Sequence, residues 1–264
     1  MSGFNLRFLG HSTVRLELGD RVVLTDPVLT ARVGGLTRVV PLPEPAAYGE
    51  VDLVLLSHLH GDHLHVPSLK LVGRRTRIVV PRGAGSWLAK KGFTAVEEIA
   101  PGETLTDGGL TITATEAVHS GHRWGPRLTH GPQSPALGHL VKSDHGTSVY
   151  NAGDTDLFDG MAAFGPVDVA LLPVWGWGPN LGPGHLNPAR AAEAAGLLPA
   201  RAVVPVHWGT LAVPGLKRTA RMRRLLADPP REFAAHVRAG NVATEVLFTE
   251  PGADVVLPAS TDRA

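Results

Sequence analysis

Apolar and polar positions alternate, or merge into β-branched runs, over residues 5–9, 13–18, 22–25, 53–56, 77–80, 110–117, 136–142, 147–151, 167–173, 201–206 and 244–248. These patterns predict strands. Helical spacing is found over 85–91, 187–198, 217–227 and 231–239. Asn187-Pro188 marks the start of the second of these: an asparagine can cap the first turn, and proline suits the first helical position. Strands outnumber helices, and helices recur between strand groups in both halves. The pattern therefore predicts a layered α/β architecture rather than an all-β sandwich. No 20–50-residue repeat and no linker interrupts the pattern, so one domain is expected over residues 1–264.

Composition narrows this picture only at a few points. With 264 residues, 43% of them hydrophobic, the chain can bury a sizeable core. Its 31 glycines and 22 prolines are scattered as turn punctuation. A formal net charge of +1 announces neither nucleic acid nor an anionic membrane as partner, which points to small molecules. The absence of cysteine excludes disulfides, thiolate ligands and a cysteine nucleophile. There is no basic-then-apolar leader and no apolar run approaching ~20 residues, so a cytoplasmic protein without a membrane span is expected.

The chemistry is concentrated in Ser57-His58-Leu59-His60-Gly61-Asp62-His63-Leu64, directly after the apolar run 53–56. Three imidazoles and a carboxylate so close together each need a partner, and a cation between them supplies it. Pro67 supports a helix start just beyond. If this is half of a metal site, further ligands belong at other strand ends. His119 follows 110–117, Asp154 follows 147–151 in Gly153-Asp154-Thr155, and His207 ends 201–206.

With Asp26 in Thr25-Asp26-Pro27, this order resembles the metallo-β-lactamase-fold hydrolase superfamily. Phe8-Leu9-Gly10-His11-Ser12-Thr13 and Gly184-His185-Leu186-Asn187-Pro188 are similar to a branch of ascorbate-phosphate lactonase-like and N-acyl-phosphatidylethanolamine phospholipase D-like proteins. The resemblance implies a four-layer αββα sandwich with two divalent metal ions at one edge. It assigns His58, His60 and His119 to one ion, Asp62, His63 and His207 to the other, and Asp154 as the bridge, with Asp26 holding a ligand imidazole from behind. Such a donor set suits Zn²⁺, with Mn²⁺ or Fe²⁺ as alternatives. Paired ions ~3.5–4 Å apart lower the pKa of a shared water from 15.7 towards ~7, and Asp62 would orient the hydroxide.

The activity implied is hydrolysis of a small ester, lactone or phosphodiester. A nuclease is an alternative, but it wants a basic groove that the near-neutral chain does not announce. A di-iron oxidoreductase is disfavoured by His60, where such relatives carry a carboxylate, and a non-catalytic binding protein by the complete ligand set. His185, in a glycine-rich stretch, is a candidate to bind substrate or protonate the leaving group. His11, Arg123, Trp124, Trp175 and Trp177 are candidate cleft residues, and residues 120–135 a candidate flap. His65, His139, His145 and His236 read as surface or packed residues. The basic run from Lys217 to Arg224 reads as a solvated helix face, with Leu216, Ala220 and Leu225 turned inward.

Overall fold

Alternation along the central strands explains the layering. Leu53, Leu55 and Val79 turn one way and join the core between two sheets. Val54, Ile78 and Val80, their neighbours, turn the other way and pack with Leu69 of the helix Val66–Val72 and Leu88 of the helix Gly85–Ala89. Successive side chains of a strand project to opposite faces, so strands apolar at every position must be covered on both sides. The computed structural model, which describes residues 4–123 and 132–257, forms the expected αββα sandwich in this way.

The first sheet runs Phe4–Gly10, Thr13–Leu18, Arg21–Thr25, Leu53–Leu55, Arg77–Pro81, Val96–Ile99, antiparallel as far as its third strand and parallel beyond it. The second runs Glu245–Val246, Ala200–Val206, Val167–Pro173, Ser148–Asn151, Leu137–Ser143, Leu110–Glu116, Thr104–Asp107, parallel as far as Ser148–Asn151 and antiparallel beyond it. Helices Pro188–Leu197 and Pro229–Ala239 pack on this sheet through Ala191, Ala194, Phe233 and Val237. Asp26, the His58–His63 run, Asp154 and His207 follow the C-terminal ends of strands with parallel partners, where open α/β sheets build their sites, while His119 follows the antiparallel strand Leu110–Glu116.

Helix starts were legible in the sequence. Asn187 caps Pro188–Leu197, its Oδ1 accepting from Arg190 N at 3.0 Å, and Pro67 lies in the first turn of Val66–Val72. Two expectations need correction. The helix expected over 217–227 is broken: a short 3₁₀ turn, Leu216–Arg218, ends at Thr219, whose side chain caps the helix Ala220–Ala227 by accepting from Met222 N. The new start shifts the helical phase, so Met222 is buried while Leu216 and Ala220 are exposed and Leu225 is half-buried. Strands Val96–Ile99 and Thr104–Asp107 escaped the pattern because Glu97, Glu98 and Asp107 interrupt their apolar character, as charges commonly do at sheet edges. No helix among the described residues is long and apolar enough to cross a membrane.

His139 lies opposite Ala114 and Asn151 in the second sheet and is completely buried. Neither ring nitrogen has a hydrogen-bond partner among the described residues. Burial holds its pKa down to about 4, against the opposing field of Asp26. The unfolded chain therefore takes up a proton between pH 6.5 and 4 that the folded chain refuses, and stability falls as pH falls through that window. His139→Leu should flatten this loss by up to about 3 kcal/mol. Urea titrations of both proteins at pH 7 and pH 4.5 measure it, and parallel pH dependences would show that His139 contributes nothing.

Candidate metal centre

The site begins at Asp26, which ends the strand Arg21–Thr25 in a left-handed conformation, φ 35°. Its buried carboxylate accepts from Ser57 N at 2.8 Å and Ser57 Oγ at 2.6 Å, and Oδ2 lies 2.9 Å from His63 Nδ1. Ser57 follows the neighbouring parallel strand Leu53–Leu55, so the two strand ends are bonded together. The chain then turns sharply, with His63 N and Leu64 N donating to His60 O, before entering the helix Val66–Val72. From the second sheet, Gly153 brings Asp154 against Ser57. A Cβ on Gly153, at φ 61°, would stand 2.6 Å from Ser57 Cβ, so only glycine permits this approach.

Hydrogen bonding fixes the tautomers of most of the imidazoles and aims their free nitrogens inward. The hydroxyl proton of Ser57 goes to Asp26, so His58 Nδ1, 3.0 Å from that hydroxyl, must donate to it. His119 Nδ1 donates to Gly184 O at 2.7 Å and His207 Nδ1 to Trp175 O at 2.6 Å. The Nε2 atoms of His58 and His119 then present lone pairs, each 3.0 Å from His60 Nδ1. One proton on His60 can satisfy only one of them. Likewise His63 Nε2 stands 3.1 Å from His207 Nε2, with Asp154 Oδ2 3.3 Å from the former and Oδ1 3.2 Å from the latter. Asp154 Oδ1 is buried and accepts no hydrogen bond among the described residues. Converging lone pairs and an orphaned carboxylate oxygen are the arrangement a divalent cation satisfies.

The charges agree. Burial holds His58 well below the ordinary imidazole range, His60 down to about 4 and His207 down to about 3, so these three imidazoles are neutral at pH 7. Burial works against the carboxylate form of Asp62 and Asp154, yet surrounding histidines hold both well below the usual carboxylate range. His63 is the exception: burial opposes its charge, but Asp154 and Asp26 outweigh it and raise its pKa. The demand for positive charge is thus greatest between His63 and Asp154.

All seven residues expected as ligands come together, in groups whose donor atoms lie within 4.8 Å of one another: His58 with His60 and His119; Asp62, His63 and His207 with His11; and Asp154 with His58 and His63. Two expectations shift. His11 is not a cleft wall; it is buried beneath the candidate ligands, with Nε2 2.9 Å from Asp62 Oδ2 and its ring 3.9 Å from that of His207. Trp175 packs against the core and serves the site through its backbone carbonyl. Trp177 does line the cleft, a space of about 320 Å³ above the candidate ligands, with Arg123, Asn180, Leu181 and His185. His185 Nε2 lies 3.5 Å from Asp154 Oδ2, and its ring packs edge-on to His119. Trp124 and half of the candidate flap, residues 124–131, lie outside the described residues.

Ser57 and the carbonyls of Trp175 and Gly184 were not identified from sequence, since a serine and two backbone oxygens carry no signal of their role. Backbone strain is the structural signal that was missing. His11, Asp26 and His207, with φ 56°, 35° and 63°, are three of the five left-handed non-glycine residues among those described, and all three meet here.

A family profile described as a beta-lactamase superfamily domain matches residues 21–208. A UPF0173 metal-dependent hydrolase of Thermococcus kodakarensis is 33% identical over 261 residues, covering 96% of this chain and 99% of the relative. Another, from Pyrococcus abyssi, is 36% identical over 217 residues, covering 78% and 84%. Among solved structures, Igni18, a metallo hydrolase from Ignicoccus hospitalis, superposes with a TM-score of 0.72 at 26% identity, covering 96% of this chain and 97% of that one.

Asp26 contacts the candidate ligand His63 directly and reaches His58 through Ser57, so it orients both imidazoles. Asp26→Asn should weaken divalent-metal affinity about 10- to 100-fold, as loss of such outer carboxylates commonly does. Competition with a chromophoric chelator measures this; wild-type affinity in the variant would remove Asp26 from the site.

Proposed function

Because this chain belongs to the beta-lactamase superfamily and is a metal-dependent hydrolase of that fold, we propose that it cleaves a small-molecule ester, lactone or phosphodiester with the help of two divalent ions, Zn²⁺ first among them. The observation that carries this reading is the convergence of two donor groups on Asp154 at the floor of a single small cleft. His58, His60 and His119 would hold one ion, Asp62, His63 and His207 the other, and Asp154 would touch both. Ions held by these donors supply Lewis acidity, activating a water and polarising a carbonyl or phosphoryl oxygen.

The protein's own residues do the rest. His11 holds the Asp62 carboxylate through a 2.9 Å contact, so that carboxylate presents a fixed face to the cleft floor. His185, beside Asp154 and lining the cleft, is placed to pass a proton to a departing alkoxide. Trp177, Leu181 and the glycine backbones at 176 and 178 form a wall for the apolar part of a substrate. Among the described residues, Arg123 is the only lysine or arginine lining the cleft. A small substrate fits that lining better than a polyanion does, since a nucleic acid needs a row of cations.

Zinc-reconstituted protein should contain two metal ions per chain by mass spectrometry, and fewer than one would defeat the dinuclear reading. On a panel of phosphodiesters, lactones, esters and thioesters, at least one class should be hydrolysed, with activity abolished in both His58→Ala and Asp154→Ala. His185→Ala should lower kcat by about 10²-fold on the substrate so found; unchanged kcat and KM would remove His185 from the reaction.

A further inference from the structure

Arg123 is placed where its contacts reach beyond the cleft it lines. It is a buried cation, 7% exposed, whose Nη1 donates at 2.6 Å to the carbonyls of both Leu59 and Leu64. Those two carbonyls bracket the turn that carries His60, Asp62 and His63. The side chains of Leu59 and Leu64 are sunk in the core beneath the first sheet, so the turn is anchored below and clamped from the side. The guanidinium is itself held, with its central carbon 5.1 Å from the centre of the Trp87 ring. Charge-assisted bonds to carbonyls inside a protein are stronger than neutral ones, and one nitrogen serving both ends of a turn fixes the distance between them.

The sequence position of Arg123 gives the clamp its direction. It lies four residues after His119, on the segment leaving the strand Leu110–Glu116 of the second sheet, whereas the turn belongs to the first. The 3.0 Å approach of His119 Nε2 to His60 Nδ1 is a contact between the same two segments. His119 is fixed by Gly184, and the backbone just before it by the bond from Val118 N to Thr155 Oγ1. On the other segment, the ring contacts of His60 among the described residues are with other candidate ligands, His58 and His119. Its place is set by the turn's backbone.

We propose that Arg123 is a positioning residue that clamps the 59–64 turn to the second sheet, and so sets the His58, His60 and His119 donor group. The proposal rests on those three residues acting as ligands, and its first readout is independent of metal. In protein stripped of metal, Arg123→Met, which keeps the packing on Trp87, should raise hydrogen–deuterium exchange of a peptide covering 58–65 at least tenfold, with exchange in the strand Val167–Pro173 unchanged. Arg123→Lys, which restores a donor, should recover much of the protection. In Zn²⁺ titrations the Met variant should bind one of its two ions at least tenfold more weakly than wild type and the other normally.

Wild-type exchange over 58–65 in Arg123→Met would overturn the clamp. Faster exchange with wild-type affinity for both ions would overturn its role in setting the donor group. A wild-type protein that binds fewer than two ions would count against the dinuclear reading, while the exchange comparison still decides the clamp. If Arg123→Met does not fold, Arg123→Gln, too short to reach both carbonyls, is read by the same two measurements with the same outcomes.

Discussion

Everything in this site hangs on one buried carboxylate. Asp26 sits at the seam between two parallel strands and takes three hydrogen-bond donors from two residues, Ser57 and His63. A carboxylate can do this because it only accepts, so each donor facing it has its proton position settled. Ser57, having given its own proton to Asp26, becomes the acceptor for His58. One acid therefore orients two imidazoles: the inward nitrogen of His58 is left with a lone pair, and that of His63 faces Asp154. The backbone carbonyls of Gly184 and Trp175 repeat the device for His119 and His207.

The sandwich makes such a concentration of polarity tolerable. Each sheet is part parallel and part antiparallel, and the parallel strands deliver their C-terminal ends to a common edge. The interior between the sheets is mainly apolar, filled by residues such as Phe8, Leu55, Val79 and Leu171, while most of the site's polar groups gather where the strands end. Thirteen histidines in one chain would be costly if they were spread through the core. Seven of them, His11, His58, His60, His63, His119, His185 and His207, are instead gathered at the edge, where carboxylates, carbonyls and neighbouring rings surround them.

The sequence disclosed the parts of this arrangement that are local. Strand and helix patterns came through wherever both faces of an element were apolar or a cap was explicit, as at Asn187 and Pro67. They failed at charged edge strands, and at Thr219, where a capping threonine restarted a helix that side-chain periodicity alone would carry through. Among the site residues, those with distinctive chemistry at strand ends were readable, because few side chains bind metals. Ser57 and the two carbonyls were not, since their roles exist only once the sheets have met. His11 and Trp175 show the same limit from the other side: the residue type was suggestive, but only the packing decides which face of the ligands it touches.

The backbone strain at His11, Asp26 and His207 has an evolutionary corollary. A side-chain-bearing residue in the left-handed region costs about 1–2 kcal/mol that glycine would not. At these three positions, replacement by glycine relieves the chain locally while deleting an imidazole or the carboxylate. At Asp26 that relief is outweighed by the donors of Ser57 and His63 left without an acceptor, whereas at His11 and His207 selection for thermal robustness alone would favour loss of the imidazole. The persistence of strained residues in a descendant is therefore a mark that chemistry, and not merely the fold, is still under selection.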